Sequence, residues 1–256
     1  MTPLLDTLAA IAREAGAEIE RIYGAGCATE WKPDGSPVTQ ADRAAEAIIL
    51  ERLGSAFPDI PVLAEEAACD GHVPDLGSRF FLVDPLDGTR GFVARNGEFT
   101  VNIALIEGGE PVAGVIQAPD ASALYAGERG RGAWRVRDGS GPEPIRTRAP
   151  PTDGLIVLAS RSGIAQTRSR IEHLAVAEFR PSSSSLKFCL VAAGEADLYP
   201  RFGPTMEWDT GAGQAILEAA GGKIRALDDS GNDRGPLSYG KAENGFLNPH
   251  FIASGR

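Results

Sequence analysis

The stretch Phe80-Phe81-Leu82-Val83-Asp84-Pro85-Leu86-Asp87-Gly88-Thr89 constrains this chain more than any other. An apolar run ending in two aspartates and a turn predicts a buried strand that delivers carboxylates to its C-terminal edge, where α/β proteins build sites. Two carboxylates so close in a low-dielectric cleft do not both stay ionised without a counter-charge. Either one is protonated or a cation lies between them, and oxygen donors of this hardness suit Mg²⁺.

A length of 256 residues with 43% hydrophobic residues can bury one large core or two smaller ones. Residues 1–6 lack the basic region of a secretory signal, and Asp6, Arg13 and Glu14 interrupt any apolar segment there. No stretch approaches the roughly 20 apolar residues of a membrane span. Cys27, Cys69 and Cys189 are odd in number, far apart and without a CxxC pair. They read as thiols of a reducing compartment, so a cytoplasmic location is expected. His72, His173 and His250 are scattered, which counts against an imidazole-rich metal site or a Ser-His-Asp triad.

The net charge of −10 conceals an asymmetry: residues 1–128 carry 21 acids against 8 bases, residues 129–256 carry 14 against 17. The balance reads either as a solubilising surface or as cation ligands in the first half and anion-binding groups in the second. Duplex nucleic acid is a poor partner for so acidic a chain.

Leu4, Leu5, Leu8, Ile11, Ala12, Ala15, Ile19 and Ile22 recur at helical spacing and predict a helix over 4–23, ended by Gly24 and Gly26. A polar loop with Pro33, Gly35 and Pro37 follows, and Thr39-Gln40-Ala41-Asp42 opens a second helix to Leu53. Residues 61–66 read as a short strand ending on acids. Residues 99–106 and 111–116 read as strands of a hairpin turned by Gly108-Gly109, with further short strands at 124–126 and 133–136. The Gly- and Pro-rich segment 138–153 is the expected subdomain boundary. Beyond it come a strand at 155–160, a helix near 166–176, the serine run 182–185 leading into a helix through Ala193, a strand at 197–200, and a helix over 209–220.

Glu65, Asp84, Asp87 and Asp209 are the carboxylates placed together in one candidate site. Glu65, with Glu66, also fits a solvated strand end, and Asp209 also fits an ordinary N-cap. Gly88-Thr89 adds an anion cradle if a helix or turn begins there, with the threonine hydroxyl positioned to orient a water. Ser182 to Ser185 either supply more donors or form a surface loop. No GxxxxGK[ST] loop is present, and no GxGxxG follows a strand.

At these residues the chain resembles a known family. Asp84-Pro85-Leu86-Asp87-Gly88-Thr89 is similar to the DPxDGT signature of the inositol monophosphatase superfamily of Mg²⁺-dependent, lithium-sensitive phosphatases. Glu65-Glu66 matches its upstream acidic pair, Trp208-Asp209-Thr210-Gly211-Ala212-Gly213 its WDxxAG motif, and Thr39-Gln40-Ala41-Asp42 its early T-x-x-D element. Residues 95–106, Ser184-Ser185-Leu186-Lys187-Phe188-Cys189, residues 198–204 and Phe246-Leu247-Asn248-Pro249 resemble the bacterial 3′(2′),5′-bisphosphate nucleotidases of the CysQ type. Two positions depart: Arg90-Gly91 stands where that branch usually has Lys-Glu, and Ser160-Arg161-Ser162-Gly163 where it often has SRSH.

The resemblance implies an αβαβα layered sandwich, α+β in composition, with residues 1–145 as an N-terminal subdomain and 146–256 as a C-terminal α/β subdomain. It implies removal of the 3′-phosphate of adenosine 3′,5′-bisphosphate, with an inositol monophosphatase or fructose 1,6-bisphosphatase activity as the rival within the same chemistry and an idle metal- or nucleotide-binding protein as the rival outside it. It further implies two or three Mg²⁺ ions held by Glu65, Asp84, the Leu86 carbonyl, Asp87 and Asp209. Thr89, supported by Asp42, would orient and deprotonate the water, and Gly88 and Thr89 N–H groups would hold the phosphate. Ser184, Lys187, Arg161 and Arg201 would meet the rest of the substrate beside Asp209, with Tyr199 or Phe202 near the base. A homodimer stays open.

Overall fold

Alternation along the aspartate-bearing strand sets the layering of the molecule. The structure, a computed structural model, describes residues 1–32, 35–137 and 139–256. The loop residue Pro33, and Asp138 at the head of the Gly- and Pro-rich segment, lie outside the described residues.

In chain order the first half forms α1 (Pro3–Ala25), β1 (Thr29–Trp31), β2 (Pro37–Thr39), α2 (Gln40–Ala56), β3 (Val62–Ala64), α3 (Glu65–Cys69), β4 (Arg79–Asp87), α4 (Thr89–Val93), β5 (Thr100–Glu107) and β6 (Glu110–Ala118). Then follow β7 (Ala123–Glu128), β8 (Gly132–Arg137), β9 (Glu143–Ile145), β10 (Leu155–Ala159), α5 (Ile164–Arg170) and β11 (Val176–Pro181). The chain finishes with α6 (Leu186–Ala192), β12 (Leu198–Arg201), α7 (Gly211–Ala219), β13 (Lys223–Leu227) and β14 (His250–Ser254). Strands β3 to β9 make a seven-stranded sheet in sequence order, antiparallel but for the β3–β4 pair, and β10 to β14 make a five-stranded sheet in the order β11-β10-β12-β14-β13.

Side chains of successive strand residues point to opposite faces. Phe81 and Val83 of β4 therefore pack against Leu8, Ile11, Ile19, Ile49 and Leu53 of α1 and α2, while Phe80 and Leu82 face a second core. That second core joins the large sheet to α6 and α7 through Phe188, Val191, Ala212 and Ile216, and on to Leu158, Tyr199 and Phe251 of the small sheet. A third cluster, with Val157, Ile171, Leu198 and Phe202, covers the remaining face of the small sheet near α5. The order is α1/α2, sheet, α6/α7, sheet, α5, which is the expected αβαβα sandwich. Because helices cover both faces, β5 is buried from Thr100 to Ile106.

Local chemistry fixes the helix starts. Thr2 caps α1 by accepting from the Leu5 N–H, and Pro3 occupies the first helical position, where a missing N–H costs nothing. Thr39 and Asp42 form a capping box at α2. Several boundaries differ from the sequence expectation. Gly24 lies inside α1, and Gly26 alone, at φ 76°, ends it. The acids at 65 and 66 open α3 rather than finish a strand. The helix near 166–176 shortens to α5 and gives way to β11, an edge strand whose half-exposed residues carry little alternation. Asp209 ends a 3₁₀ turn over Glu207–Asp209, and Thr210 takes the N-cap position of α7.

α7 lies close against β6 and β7 because glycines face it. A methyl group at Gly114 would come within 2.6 Å of the Ala212 carbonyl oxygen, and one at Gly127 within 2.6 Å of Ile216 Cα. Gly114→Ala is therefore expected to destabilise the protein by about 1–3 kcal/mol, the usual range for overpacking, measured by urea unfolding. Unaltered stability would show that α7 can retreat from the sheet without cost.

Candidate metal centre

Pro85 has no N–H to give to the β4–β5 ladder, and the register slips there: Asp84 pairs with Asn102, but Asp87 pairs with Thr100. Such a bulge turns side chains that a regular strand would aim apart. Asp84 Oδ1 is held by the Leu86 N–H at 3.0 Å. Gly88 follows at φ 97°, where a side chain would be strained and a Cβ would meet the Glu98 carbonyl oxygen at 3.0 Å. The chain then enters α4 at Thr89.

Asp209 reaches the same place from the 3₁₀ turn, its Oδ2 accepting the Met206 N–H at 2.8 Å. One oxygen from each of Asp84, Asp87 and Asp209 lies within 4.8 Å of the others. None of the three makes an ion pair among the described residues. Burial first, then Glu65, Asp87 and Asp209, pushes the Asp84 pKa well up; burial first, then Asp87 and Glu65, does the same to Asp209. Either protonation or a cation at this point relieves both. The donors are all carboxylate oxygens, as a hard divalent ion requires, so the residues present fit Mg²⁺.

Glu65, the first residue of α3, borders the trio. Lys32 Nζ lies 2.8 Å from its Oε1 and 2.7 Å from Glu66 Oε1. Burial opposes the Lys32 charge, but the two glutamates outweigh it and hold its pKa above the ordinary value. Desolvation raises Glu65 despite Lys32, and raises Glu66 to about 7. Asp42 is buried in α2; Thr39 donates to its Oδ2 from N–H and hydroxyl at 2.8 and 2.7 Å. The Thr89 hydroxyl lies 3.0 Å from Asp42 Oδ1 and 3.1 Å from the Leu86 carbonyl oxygen.

Ser185, which the sequence offered only as one of four possible donors in the serine run, makes specific contacts at the site. Its N–H and hydroxyl lie 2.5 and 2.7 Å from Asp87 Oδ2, and the hydroxyl lies 2.7 Å from the Asp209 carbonyl oxygen. Asn102 Nδ2 donates to that hydroxyl at 3.0 Å. One buried serine thus clasps the two ligand-bearing turns, and its place beside Asp209 in space left no trace in local sequence.

Glu65, Asp87, Asp209 and Ser185 line a cleft of about 520 Å³ with Gly88, Thr89, Arg90, Ser184, Lys187, Tyr199 and Arg201. Lys187 is buried, makes no ion pair among the described residues, donates to the Ser184 carbonyl at 2.5 Å and sits 4.9 Å from the Tyr199 ring centre. Burial lowers its pKa to about 8 against the opposing pull of Asp87. Arg201 Nη2 donates to the Pro204 carbonyl at 2.9 Å, while its buried Nε has no partner. Tyr199 and Phe202 both line an adjoining chamber of about 210 Å³, which shares Ser160, Ser162 and Arg201 with the cleft. Arg161 is exposed, pairs with Glu98 at 3.2 Å and is not among the lining residues, whereas Ser160 and Ser162 on either side of it are. Arg90 lines the cleft, 3.3 Å from the Gly35 carbonyl oxygen.

Comparison with known proteins agrees with this geometry. The family model described as the inositol monophosphatase family matches residues 1–254. The 3′(2′),5′-bisphosphate nucleotidase CysQ of Escherichia coli (strain K12) is 42% identical over 254 residues, 98% of this chain and 99% of that protein. The enzyme of the same name from Salmonella typhimurium is 44% identical over 251 residues, 97% of this chain and 98% of that protein. The crystal structure of CysQ from Bacteroides thetaiotaomicron aligns with a TM-score of 0.77 at 37% identity, covering 98% of this chain and 97% of that one. The Thermotoga maritima IMPase aligns at 0.78 with 26% identity, covering 99% and 92%.

Asp84, Asp209, Glu65 and Glu66 all have folded pKa values raised above their unfolded ones. Their stabilising contribution is complete below about pH 4 and is lost as pH rises through the folded values, because the native state then holds the extra protons. In EDTA the melting temperature is expected to fall with rising pH, and the shift produced by Mg²⁺ to grow over about pH 5 to 8. Pairs outside the site, such as Arg234 with Asp228, affect both curves alike. A Mg²⁺ shift independent of pH would contradict the raised carboxylates.

Proposed function

Because the chain belongs to the inositol monophosphatase family, we propose that it is a divalent-metal phosphomonoesterase that removes the 3′-phosphate of adenosine 3′,5′-bisphosphate, releasing AMP and phosphate. The observation that carries this is one cleft with two kinds of charge: Asp87 and Asp209, grouped with Asp84 and without an ion pair among the described residues, and Lys187 and Arg201, which pair with no acid among the described residues. A divalent cation on the acids that receives one phosphoryl group, with a second phosphoryl group on the bases, answers both. The matching full-length relatives bear the nucleotidase name, which supports a nucleotide over a sugar phosphate.

In this proposal Asp84, Asp87 and Asp209, joined by Glu65 and the Leu86 carbonyl oxygen, hold two or three Mg²⁺ ions. When bound, these supply Lewis-acid charge to the phosphoryl and leaving oxygens and lower the pKa of water. The Thr89 hydroxyl would take a proton from the attacking water as it passes its own along the 3.0 Å contact to Asp42 Oδ1, leaving Thr89 neutral and Asp42 protonated. Asp42 suits that task because burial raises its pKa, while Thr39 keeps its other oxygen fixed. The Gly88 and Thr89 N–H groups, at the start of α4 without carbonyls one turn back, hold the transferred phosphoryl. Ser184, Lys187 and Arg201 hold the second phosphate, and Tyr199 and Phe202 flank the base in the adjoining chamber. The metal ligands and the N–H groups for the transferred phosphoryl thus come chiefly from residues 1–145, and the groups for the second phosphate from 146–256.

With Mg²⁺, adenosine 3′,5′-bisphosphate is expected to turn over faster than inositol monophosphate or fructose 1,6-bisphosphate, followed by phosphate release. Preference for a sugar phosphate would remove the nucleotide assignment and leave the phosphatase. Asp87→Asn is expected to lower kcat by more than the roughly 10–100-fold that losing a residue behind a ligand costs. Undiminished phosphate release would end the metal assignment. For the bisphosphate, kcat/KM is expected to fall as pH rises through about 8, the Lys187 value in the free protein. Lys187→Arg, which stays charged, is expected to remove that limb of the profile.

A further inference from the structure

α2 presents two buried carboxylates one turn apart, Asp42 and Glu46, among otherwise apolar buried positions at Ala41, Ala45, Ile49 and Leu53. Asp42 grips Thr89, beside the Leu86–Asp87 part of the centre. Glu46 grips the other part. Its Oε2 accepts the Glu66 N–H and its Oε1 the Ala67 N–H, each at 2.8 Å. Glu66 and Ala67 are the second and third residues of α3, whose first residue is Glu65.

The N-terminal N–H groups of a helix need acceptors, which a Ser, Thr or Asp at the N-cap ordinarily supplies. At α3 that position is Ala64, which offers no side-chain acceptor. Glu46 provides from a neighbouring helix what position 64 cannot provide locally. Packing alone would place another alanine or isoleucine here, since burial works against a carboxylate and raises the Glu46 pKa, with the Glu66 and Ala67 N–H groups opposing the rise.

We propose that Glu46 is a positioning residue for the metal centre: by holding the first turn of α3 against α2, it sets where the Glu65 carboxylate stands beside Asp84, Asp87 and Asp209. α2 then works as a splint with one acid for each separately folded ligand segment. The proposal rests on Glu65 being a metal ligand.

Glu46→Gln keeps one acceptor and turns an NH₂ group toward an N–H donor. Titrating Mg²⁺ into the metal-stripped protein by calorimetry is expected to show the dissociation constant raised about 10–100-fold, with faster amide exchange at Glu66 and Ala67. Most of the lost activity should return at saturating Mg²⁺, which places the defect in the KM for metal and not in kcat. Ala64→Ser in the Glu46→Gln background restores a local cap and should recover Mg²⁺ affinity. If the single variant does not fold, the comparison is made between this double variant and Ala64→Ser alone, which should then match in affinity. Glu65→Gln with undiminished Mg²⁺ affinity would overturn the ligand assignment itself. Weakened binding in Glu65→Gln with wild-type binding in Glu46→Gln would overturn the positioning role, as would a fall in melting temperature alone. In the combined variant Glu46→Gln/Glu65→Gln, affinity should be no worse than in Glu65→Gln, because the first acts through the second; additive losses would also overturn it.

Discussion

Like charge forced together out of water is the constraint around which this molecule is arranged. Asp84, Asp87 and Asp209 approach within 4.8 Å without an ion pair among the described residues. Hydrophobic burial elsewhere supplies the stability that tolerates this. Two sheets with α6 and α7 between them make the approach possible, because β4 brings two of the aspartates from one sheet while the turn before α7 brings the third. Glycines at 114 and 127 let α7 lie close on the large sheet, so a packing feature of the core also determines where Asp209 arrives.

Charge is divided across the cleft in a way the composition foreshadows. Asp42, Glu46, Glu65, Glu66, Asp84 and Asp87 of the first half gather on α2, α3 and β4, while other acids of that half, such as Asp6 and Glu14 of α1, lie elsewhere. Of the bases in the second half, Lys187 and Arg201 enter the cleft, while others, such as Arg148 with Asp197 and Arg225 with Asp233, are spent in ion pairs elsewhere. Lys32 is the exception, a base of the first half among the acids. It answers Glu65 and Glu66 but not the trio, so it neutralises the border of the centre and leaves its middle to a metal ion.

What the sequence made legible follows from range. α1, α2 and β4 to β8 were readable because burial of one face leaves a period of 3.6 or 2 in neighbouring residues. Asp84 and Asp87 were readable because an apolar run, a proline and a glycine surround them. β11 was missed because an edge strand with exposed residues carries no such period. Glu65 and Asp209 were ambiguous from their own neighbourhoods and gained meaning only from the family pattern. Glu46 went unnoticed, and Ser185 was read only as one of four possible donors, because their partners are 20 and 98 residues away respectively and, for Glu46, are backbone N–H groups, which no side-chain pattern reports. The exposure of Arg161 and its pairing with Glu98 are matters of tertiary placement that its charge alone does not report.

Ser185, Asp42 and Glu46 share a function distinct from ligation. Ser185 binds the turn of Asp87 to the turn of Asp209, Asp42 binds α2 to Thr89, and Glu46 binds α2 to the start of α3. Carboxylates that repel one another would relax apart by small backbone shifts if nothing opposed them, and each of these contacts blocks one such shift. A metal site of this kind therefore needs two sets of polar residues, one to face the ion and one to keep the first set from separating before the ion arrives. Asp42 and Glu46 of this second set are buried and accept from N–H and O–H donors instead of cations, so their oxygens are already engaged and do not compete for the metal.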